Sequence, residues 1–235
     1  MTRRIGFSTG AIAKGDFRAA LAILRNHRVD AVELSALRLV ELEPLCRAIA
    51  ELDLPAFGFV SIHAPSRFGP EEEKWVVDRL GDLAGRGFPI VAHPDVVYQP
   101  ARWAGLGSRL LIENMDKRKP VGRTVDELRG LFSALPEAGF CFDIGHARQV
   151  DPSMTEAAML VRAFGNRLQE VHMSEVNTAS RHDPISRNAV RAFAPVMASV
   201  DAGVPVILES LIDQGQSDVG AEIRRAREVF VSPPE

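Results

Sequence analysis

The pattern that most restricts this chain is an alternation kept from one end to the other, in which short apolar runs of strand character are followed by stretches with helical periodicity. The runs are Arg4–Thr9, Ala31–Ser35, Phe57–His63, Pro89–His93, Leu110–Glu113, Phe140–Asp143, Leu168–His172 and Val204–Glu209, rich in Val, Ile, Leu and Phe. Apolar residues spaced i, i+3, i+4 or i+7 mark helices between them, for example Phe17, Ala20, Leu21 and Leu24, then Leu42, Leu45, Ile49 and Leu52, then Val76, Leu80 and Leu83. Further on, Val125, Leu128 and Leu131 begin the fifth, Val190, Phe193, Ala194 and Met197 mark the seventh, and Val219, Ile223, Ala226 and Phe230 mark the last. Thr124 with Glu127 three residues later reads as a capping box at the start of the fifth helix. Eight β-α units in 235 residues predict an α/β fold, a compact (β/α)8 barrel forming one domain over residues 1–235. A doubly wound open sheet is the alternative, but it would not bring many strand ends to one point.

The second constraint is what stands at the ends of those runs. Glu33, His63, His93, Glu113, Asp143, His172 and Glu209 each lie at the C-terminal end of a run. Period-two alternation sets Val60, Ile62, Ile90, Leu110, Ile112, Phe140, Phe142, Val171, Met173, Val206 and Leu208 on the opposite face, where they would meet the outer helices. The ionisable side chains then point inward at the end where barrel active sites are built. Such groups are expensive among apolar strands, and a ring of imidazoles and carboxylates is a set of metal ligands. Glu113, Asp143, His172 and Glu209 would bind one divalent ion and leave positions open for substrate oxygens, a set that suits Mn2+, Mg2+, Co2+ or Zn2+. His63 and His93 could join Glu113 around a second ion, or else contact substrate. Gly145, in Asp143-Ile144-Gly145-His146, would permit a tight turn that brings His146 over the pocket.

Composition limits the partners. With 28 basic and 31 acidic residues, net −3, the chain offers no strong field for nucleic acid or anionic membrane, which favours a small molecule. No apolar run reaches membrane-spanning length and the first residues lack a signal-peptide pattern, so a cytoplasmic protein is expected; a homo-oligomer is compatible with this type of barrel. The two cysteines, Cys46 and Cys141, read as small buried apolar residues. The fourth unit, from Pro94 to Ser108, has Pro100, Gly105 and Gly107 and no amphipathic pattern, which implies a short helix and a long loop whose Tyr98, Arg102 and Trp103 either cover the pocket mouth or pack the loop down.

Taken in order, Ile62-His63-Ala64-Pro65, Ala92-His93-Pro94, Ile112-Glu113-Asn114, Phe142-Asp143-Ile144-Gly145-His146, Glu170-Val171-His172, Arg181-His182-Asp183-Pro184-Ile185 and Val206-Ile207-Leu208-Glu209-Ser210 resemble the motifs of the xylose isomerase-like TIM barrels. That superfamily includes sugar isomerases and epimerases and the endonuclease IV-type DNA-repair enzymes. Resemblance to the epimerase-like members implies one ion on Glu113, Asp143, His172 and Glu209, with the two glutamates, Glu113 and Glu209, as catalytic base and acid on a small sugar or hydroxy-keto compound through a metal-stabilised enediolate. His146 would contact the substrate there, and His182 and Glu33 are further candidates for substrate binding. A metal-dependent dehydratase or lyase is a related alternative. Resemblance to endonuclease IV implies zinc ligands at His63, His93, Glu113, Asp143, His146, His172, His182 and Glu209 and a phosphodiester substrate, abasic DNA. Ser180 stands where that pattern has an aspartate before Arg181-His182. Glu170 shares the inward parity of His172 one layer lower, as a buried, hydrogen-bonded barrel residue.

Overall fold

The apolar alternation closes on itself. The structure, a computed structural model, describes residues 3–27, 29–212 and 218–231. Seven parallel strands come first: β1 (Ile5–Ser8), β2 (Ala31–Ser35), β3 (Phe59–His63), β4 (Ile90–Ala92), β5 (Leu110–Glu113), β6 (Gly139–Asp143) and β7 (Leu168–Met173). An antiparallel hairpin of β8 (Glu175–Val176) and β9 (His182–Asp183) follows, and then β10 (Val206–Leu208). The barrel runs β1 to β7 in sequence order and is closed by β10, which pairs with both β7 and β1. Around it lie α1 (Thr9–Ala13), α2 (Phe17–Leu24), α3 (Leu39–Ala48), α4 (Glu73–Gly85), α5 (Pro100–Trp103), α6 (Val125–Ala134), α7 (Ile144–Val150), α8 (Thr155–Phe164), α9 (Arg187–Met197) and α10 (Val219–Glu228). Among the described residues no helix is long and apolar enough to cross a membrane.

The parity of the strands holds throughout. Ile62, Ile90, Ile112, Phe140, Phe142, Val171, Met173 and Leu208 are buried in the layer between strands and helices, where Phe140 also meets Phe132 and Phe164 ring to ring. Inside the barrel, Val91, Leu111 and Cys141 form a separate apolar cluster. Cys141 is therefore the small buried residue expected, whereas Cys46 is only half-buried.

Four strands are shorter than their apolar runs. β4 stops at Ala92, so His93 stands one residue past the ladder; Pro94 has no N–H with which to continue it and instead starts a single 3-10 turn. β10 likewise stops at Leu208, though the Glu209 amide still donates to the Met173 carbonyl. β1 and β3 lose residues at their ends. The Thr124 cap forms, its hydroxyl accepting from the Glu127 amide, but Glu127 turns its carboxylate one residue further back, to the amide and guanidinium of Arg123. The capping box is therefore half realised, because the guanidinium offers a charged partner that the Thr124 amide cannot match.

The fourth unit is the short helix and loop expected, and it splits the roles of its aromatic residues. Tyr98 reaches the cavity mouth, its hydroxyl donating to the Phe68 carbonyl at 2.6 Å. Trp103 and Arg102 do not. Trp103 is wholly buried, and its indole N–H donates to the fully buried Glu73 of α4, which also accepts the Gln99 amide and lies 3.6 Å from the Arg102 guanidinium. Glu73 thus fastens the loop behind His93 to the outer helix layer. Glu73→Ala leaves the buried Trp103 indole N–H unpaired and frees the Gln99 amide, and we expect it to lower unfolding free energy by about 2 kcal/mol in a denaturant titration.

Candidate metal centre

The strand-end residues meet above the barrel interior because parallel strands of one barrel present their C-terminal ends to the same side. Asp143 lies opposite His172 in the β6–β7 ladder. Glu113, on β5, is the hub. Its Oε2 lies 3.3 Å from His63 Nε2 and 3.3 Å from His93 Nε2, while its Oε1 lies 3.3 Å from His146 Nδ1 and 3.4 Å from His172 Nδ1. Four imidazoles therefore surround one carboxylate, two on each oxygen.

Local sequence explains how the other donors are held. Asn114 clamps the backbone of Asp143 from both sides, donating to its carbonyl and accepting its amide at 2.8 Å each. Asp143 is also the N-cap of α7, its Oδ1 accepting the His146 amide at 2.6 Å. The expected tight turn after Asp143 is instead the first turn of this helix. Gly145 is required for closeness rather than for an unusual φ, since a Cβ there would sit 2.4 Å from the Ser174 carbonyl oxygen. His182 is on strand β9 rather than in an open loop, with Nδ1 2.9 Å from Ser174 Oγ and 3.3 Å from Glu209 Oε2. Asn114 and Ser174 have no charge to titrate, so a search for strand-end ionisable residues passes over them; their adjacency to Glu113 and Met173 at strand ends is the signal that remains.

Donor atoms within 4.8 Å of one another define four sets: Glu113, Asp143, His172 and Glu209; His63, His93 and Glu113; Asp143, His146 and His182; and Glu33, Glu170 and His172. The first set fits a divalent ion on its own evidence. Asp143 Oδ2 and His172 Nδ1 are buried without any hydrogen-bond partner, a costly condition that a cation among them removes. Three carboxylates and an imidazole suit Mn2+, Zn2+, Co2+ or Mg2+. The second set is prepared by tautomer: His63 Nδ1 is 2.7 Å from the Ala64 carbonyl, which can only accept, so the proton is on Nδ1 and Nε2 is left free to bind. The third set has no aspartate at position 180. Ser180, in the left-handed region at φ 54°, accepts from Gln149 through its hydroxyl and from Arg118 through its carbonyl.

Glu33 departs from the expected substrate contact. It is fully buried, with Oε2 3.2 Å from His172 Nε2, beneath the centre rather than on the cavity wall. The cavity itself measures about 640 Å3, and His63, His93, Glu113, His146, His182 and Glu209 line its floor. Arg67, Phe68, Tyr98, Arg118 and Lys119 line its mouth. Lys119 is held there by Asp95, 2.8 Å away, and Asp95 in turn approaches His93.

Titration follows from this packing. Burial opposes ionisation of Glu113, but the charge and hydrogen bonds of His172, His146 and His63 outweigh it and hold the carboxyl well below its usual range. Burial likewise opposes protonation of His146 and His63, yet Asp143 and Glu113 raise the first to about 10, and Glu33 and Glu113 raise the second to about 9. Burial raises Asp143 and Glu209 and lowers His93 and His182. In the metal-free protein the charged forms of His63 and His146 therefore stabilise the fold fully below the ordinary value of 6.5 and stop doing so as pH rises through about 9 to 10. An ion bound through His63 needs that ring neutral, so its binding releases a proton and strengthens as pH rises toward about 9. Thermal melts between pH 6.5 and 9 should show Tm of the metal-free protein falling while the increment on adding Mn2+ or Zn2+ grows; an increment that shrinks with pH would contradict the assignment.

Among curated protein sequences none matches the chain. Among solved structures it is similar to endonuclease IV from Thermus thermophilus, with 22% identity and a TM-score of 0.62 over 97% of this chain and 98% of that one. It is also similar to the 3-keto-D-glucoside 4-epimerase YcjR from E. coli, at 15% identity and a TM-score of 0.60 over 97% and 99% of the two chains. A third likeness is to a candidate sugar phosphate isomerase/epimerase from Anabaena variabilis, at 15% identity and a TM-score of 0.56 over 100% and 90%. These likenesses show the barrel fold. Residues 38–230 match the sequence profile of the xylose isomerase-like TIM barrels, and with the closed parallel barrel and its ring of strand-end donors already in place, the chain belongs to that family.

Proposed function

We propose that this chain is a metal-dependent phosphoester hydrolase whose centre holds two divalent ions sharing Glu113. The supporting observation is the division of that carboxylate, with one oxygen facing His63 and His93 and the other facing the side that holds Asp143, His172 and Glu209. A carboxylate so surrounded, and held well below its usual range, is a poor proton acceptor, and with His63 and His93 on one side and Asp143, His172 and Glu209 on the other it would help to hold an ion in each set. Two ions on these sets would supply Lewis acidity at a phosphoryl oxygen and a water acidic enough to attack near neutral pH.

The chain's own groups do the rest. His63, with its proton committed to the Ala64 carbonyl, keeps Nε2 directed at the centre. His146 donates through Nδ1 to the Asn114 carbonyl, and its Nε2 lies 3.4 Å from His182 Nε2 on the cavity floor. This pair is placed to hold one proton between two nitrogens and hand it to a leaving oxygen. At the mouth, Arg67, Arg118 and Lys119 beside Phe68 and Tyr98 suit a phosphorylated, ring-bearing small molecule. The name endonuclease IV, carried by one of the similar structures, denotes an enzyme that cuts a phosphodiester backbone, which belongs to the same reaction class.

A second reading, an isomerase or epimerase of a small sugar or hydroxy-keto compound, is favoured by two observations. The cavity of about 640 Å3 is of small-molecule size, and Ser180 leaves Asp143, His146 and His182 without the second carboxylate of a third zinc site. In that reading Glu113 and Glu209 pass the proton between carbons, Glu209 from a cavity-lining position where burial raises it.

Ion content and turnover separate them. Elemental analysis of protein purified without added metal should find two ions per chain, and Glu113→Gln should lose both while His63→Ala loses one. Hydrolysis of bis(p-nitrophenyl) phosphate should fall by at least about a hundredfold in Glu113→Gln. A single ion, with deuterium exchange into a ketose and no phosphoester turnover, would decide for the isomerase.

A further inference from the structure

The barrel interior beneath the centre is divided into two unlike halves. On β4, β5 and β6 it is filled by Val91, Leu111 and Cys141, as a barrel interior ordinarily is. On β2, β3 and β7 it carries Glu33, Ser61 and Glu170, none of which has any exposure. Two carboxylates in such a place are costly unless something there requires them. Neither lines the cavity, so neither is placed to meet a ligand.

Both converge on one nitrogen. Glu33 Oε2 lies 3.2 Å and Glu170 Oε1 3.4 Å from His172 Nε2. Each carboxylate is steadied from behind. Ser61 Oγ donates to Glu170 Oε1 at 2.8 Å, and Ser35 Oγ reaches Glu33 Oε1 at 3.5 Å while paired with Ser8 Oγ at 2.6 Å. The opposite nitrogen of the same ring, Nδ1, lies 3.4 Å from Glu113 Oε1 and 3.4 Å from Glu209 Oε1. His172 thus lies between two carboxylates below and the ligand set above, close to both, with neither ring nitrogen yet in a well-directed hydrogen bond. An imidazole has two neutral tautomers, and only the one protonated at Nε2 presents a lone pair at Nδ1. Hydroxyls below, which donate as well as accept, would allow either, and alkyl groups would leave the Nε2–H without an acceptor.

We propose that Glu33 and Glu170 are joint positioning residues of the metal centre: they accept the Nε2–H of His172 and so fix the tautomer and ring orientation that turn Nδ1 toward Glu113, Asp143 and Glu209. A carboxylate acceptor also makes the ring a stronger donor, which strengthens ion binding at that set. This role does not depend on whether the ions serve hydrolysis or isomerisation. It also explains why the polar residues lie on β2, β3 and β7: β7 carries the ring, and the other two strands face it across the barrel.

The test uses Zn2+ and Co2+ alone as probes. In histidine-15N-labelled, Zn2+-loaded protein, long-range proton–nitrogen spectra should show His172 with a slowly exchanging proton on Nε2 and zinc on Nδ1. Glu33→Gln and Glu170→Gln, which keep shape and volume, should each weaken Zn2+ binding at one site by about 10- to 100-fold and shift the visible spectrum of the Co2+ form. A merely structural role predicts the reverse, lower stability with unchanged affinity and spectrum, and that result would overturn the proposal. It is equally overturned if the variants lose a whole extra ion, which would make Glu33, Glu170 and His172 a binding site themselves, or if the protein takes up neither ion. Should either variant fail to fold, the wild-type spectrum still decides, since zinc on Nε2 or no Nε2 proton on His172 contradicts the arrangement.

Discussion

Everything in this molecule that is unusual for a barrel follows from the placement of one buried carboxylate among four imidazoles. Glu113 is held charged at its depth by His172, His146 and His63, and it helps in turn to raise His146 and His63, while burial lowers His93. That mutual dependence fixes the surroundings. Asn114 must lock Asp143, Ser174 must take up His182, and Glu222 must tie down the Glu209 segment through the Ser210 hydroxyl and the Ile185 amide. The outer helices serve the same end, with Glu73 of α4 and Glu222 of α10 each spending a buried carboxylate on fastening a loop of the site.

The barrel was legible in the sequence because each strand is buried on both faces and flanked by an amphipathic helix, so that the two periodicities alternate without interruption. The donors were legible for a related reason. A charge at the end of an apolar run stands out, and parity alone says which way it points. Glu33 shows where that reading stops. Its parity is right, but the stagger of a tilted barrel sets its height, and height decides between a cavity wall and the interior below it; no periodicity along one strand encodes a stagger between strands.

Other features were hidden for different reasons. The hairpin that carries His182 is too short to show an alternating pattern, and its two residues per strand are paired by the geometry of the turn. Helix α7 follows β6 without a loop, so the Gly145 that looked like a turn residue is in fact the point of closest approach to β7. Trp103 illustrates the opposite case. An aromatic residue in an irregular loop next to a binding site invites a ligand role, but the indole N–H needed a buried acceptor, and Glu73, distant in sequence, supplied one.

Glu113 also lies at a seam in the order of assembly. His63, His93 and Glu113 come from β3, the residue after β4, and β5, three adjacent strands, whereas Asp143, His172 and Glu209 come from the last three barrel strands, β6, β7 and the end of β10. As the chain leaves the ribosome, the first three-donor set is complete while Glu113 is still the one member of the other set to have been made, so the two sets become available in order.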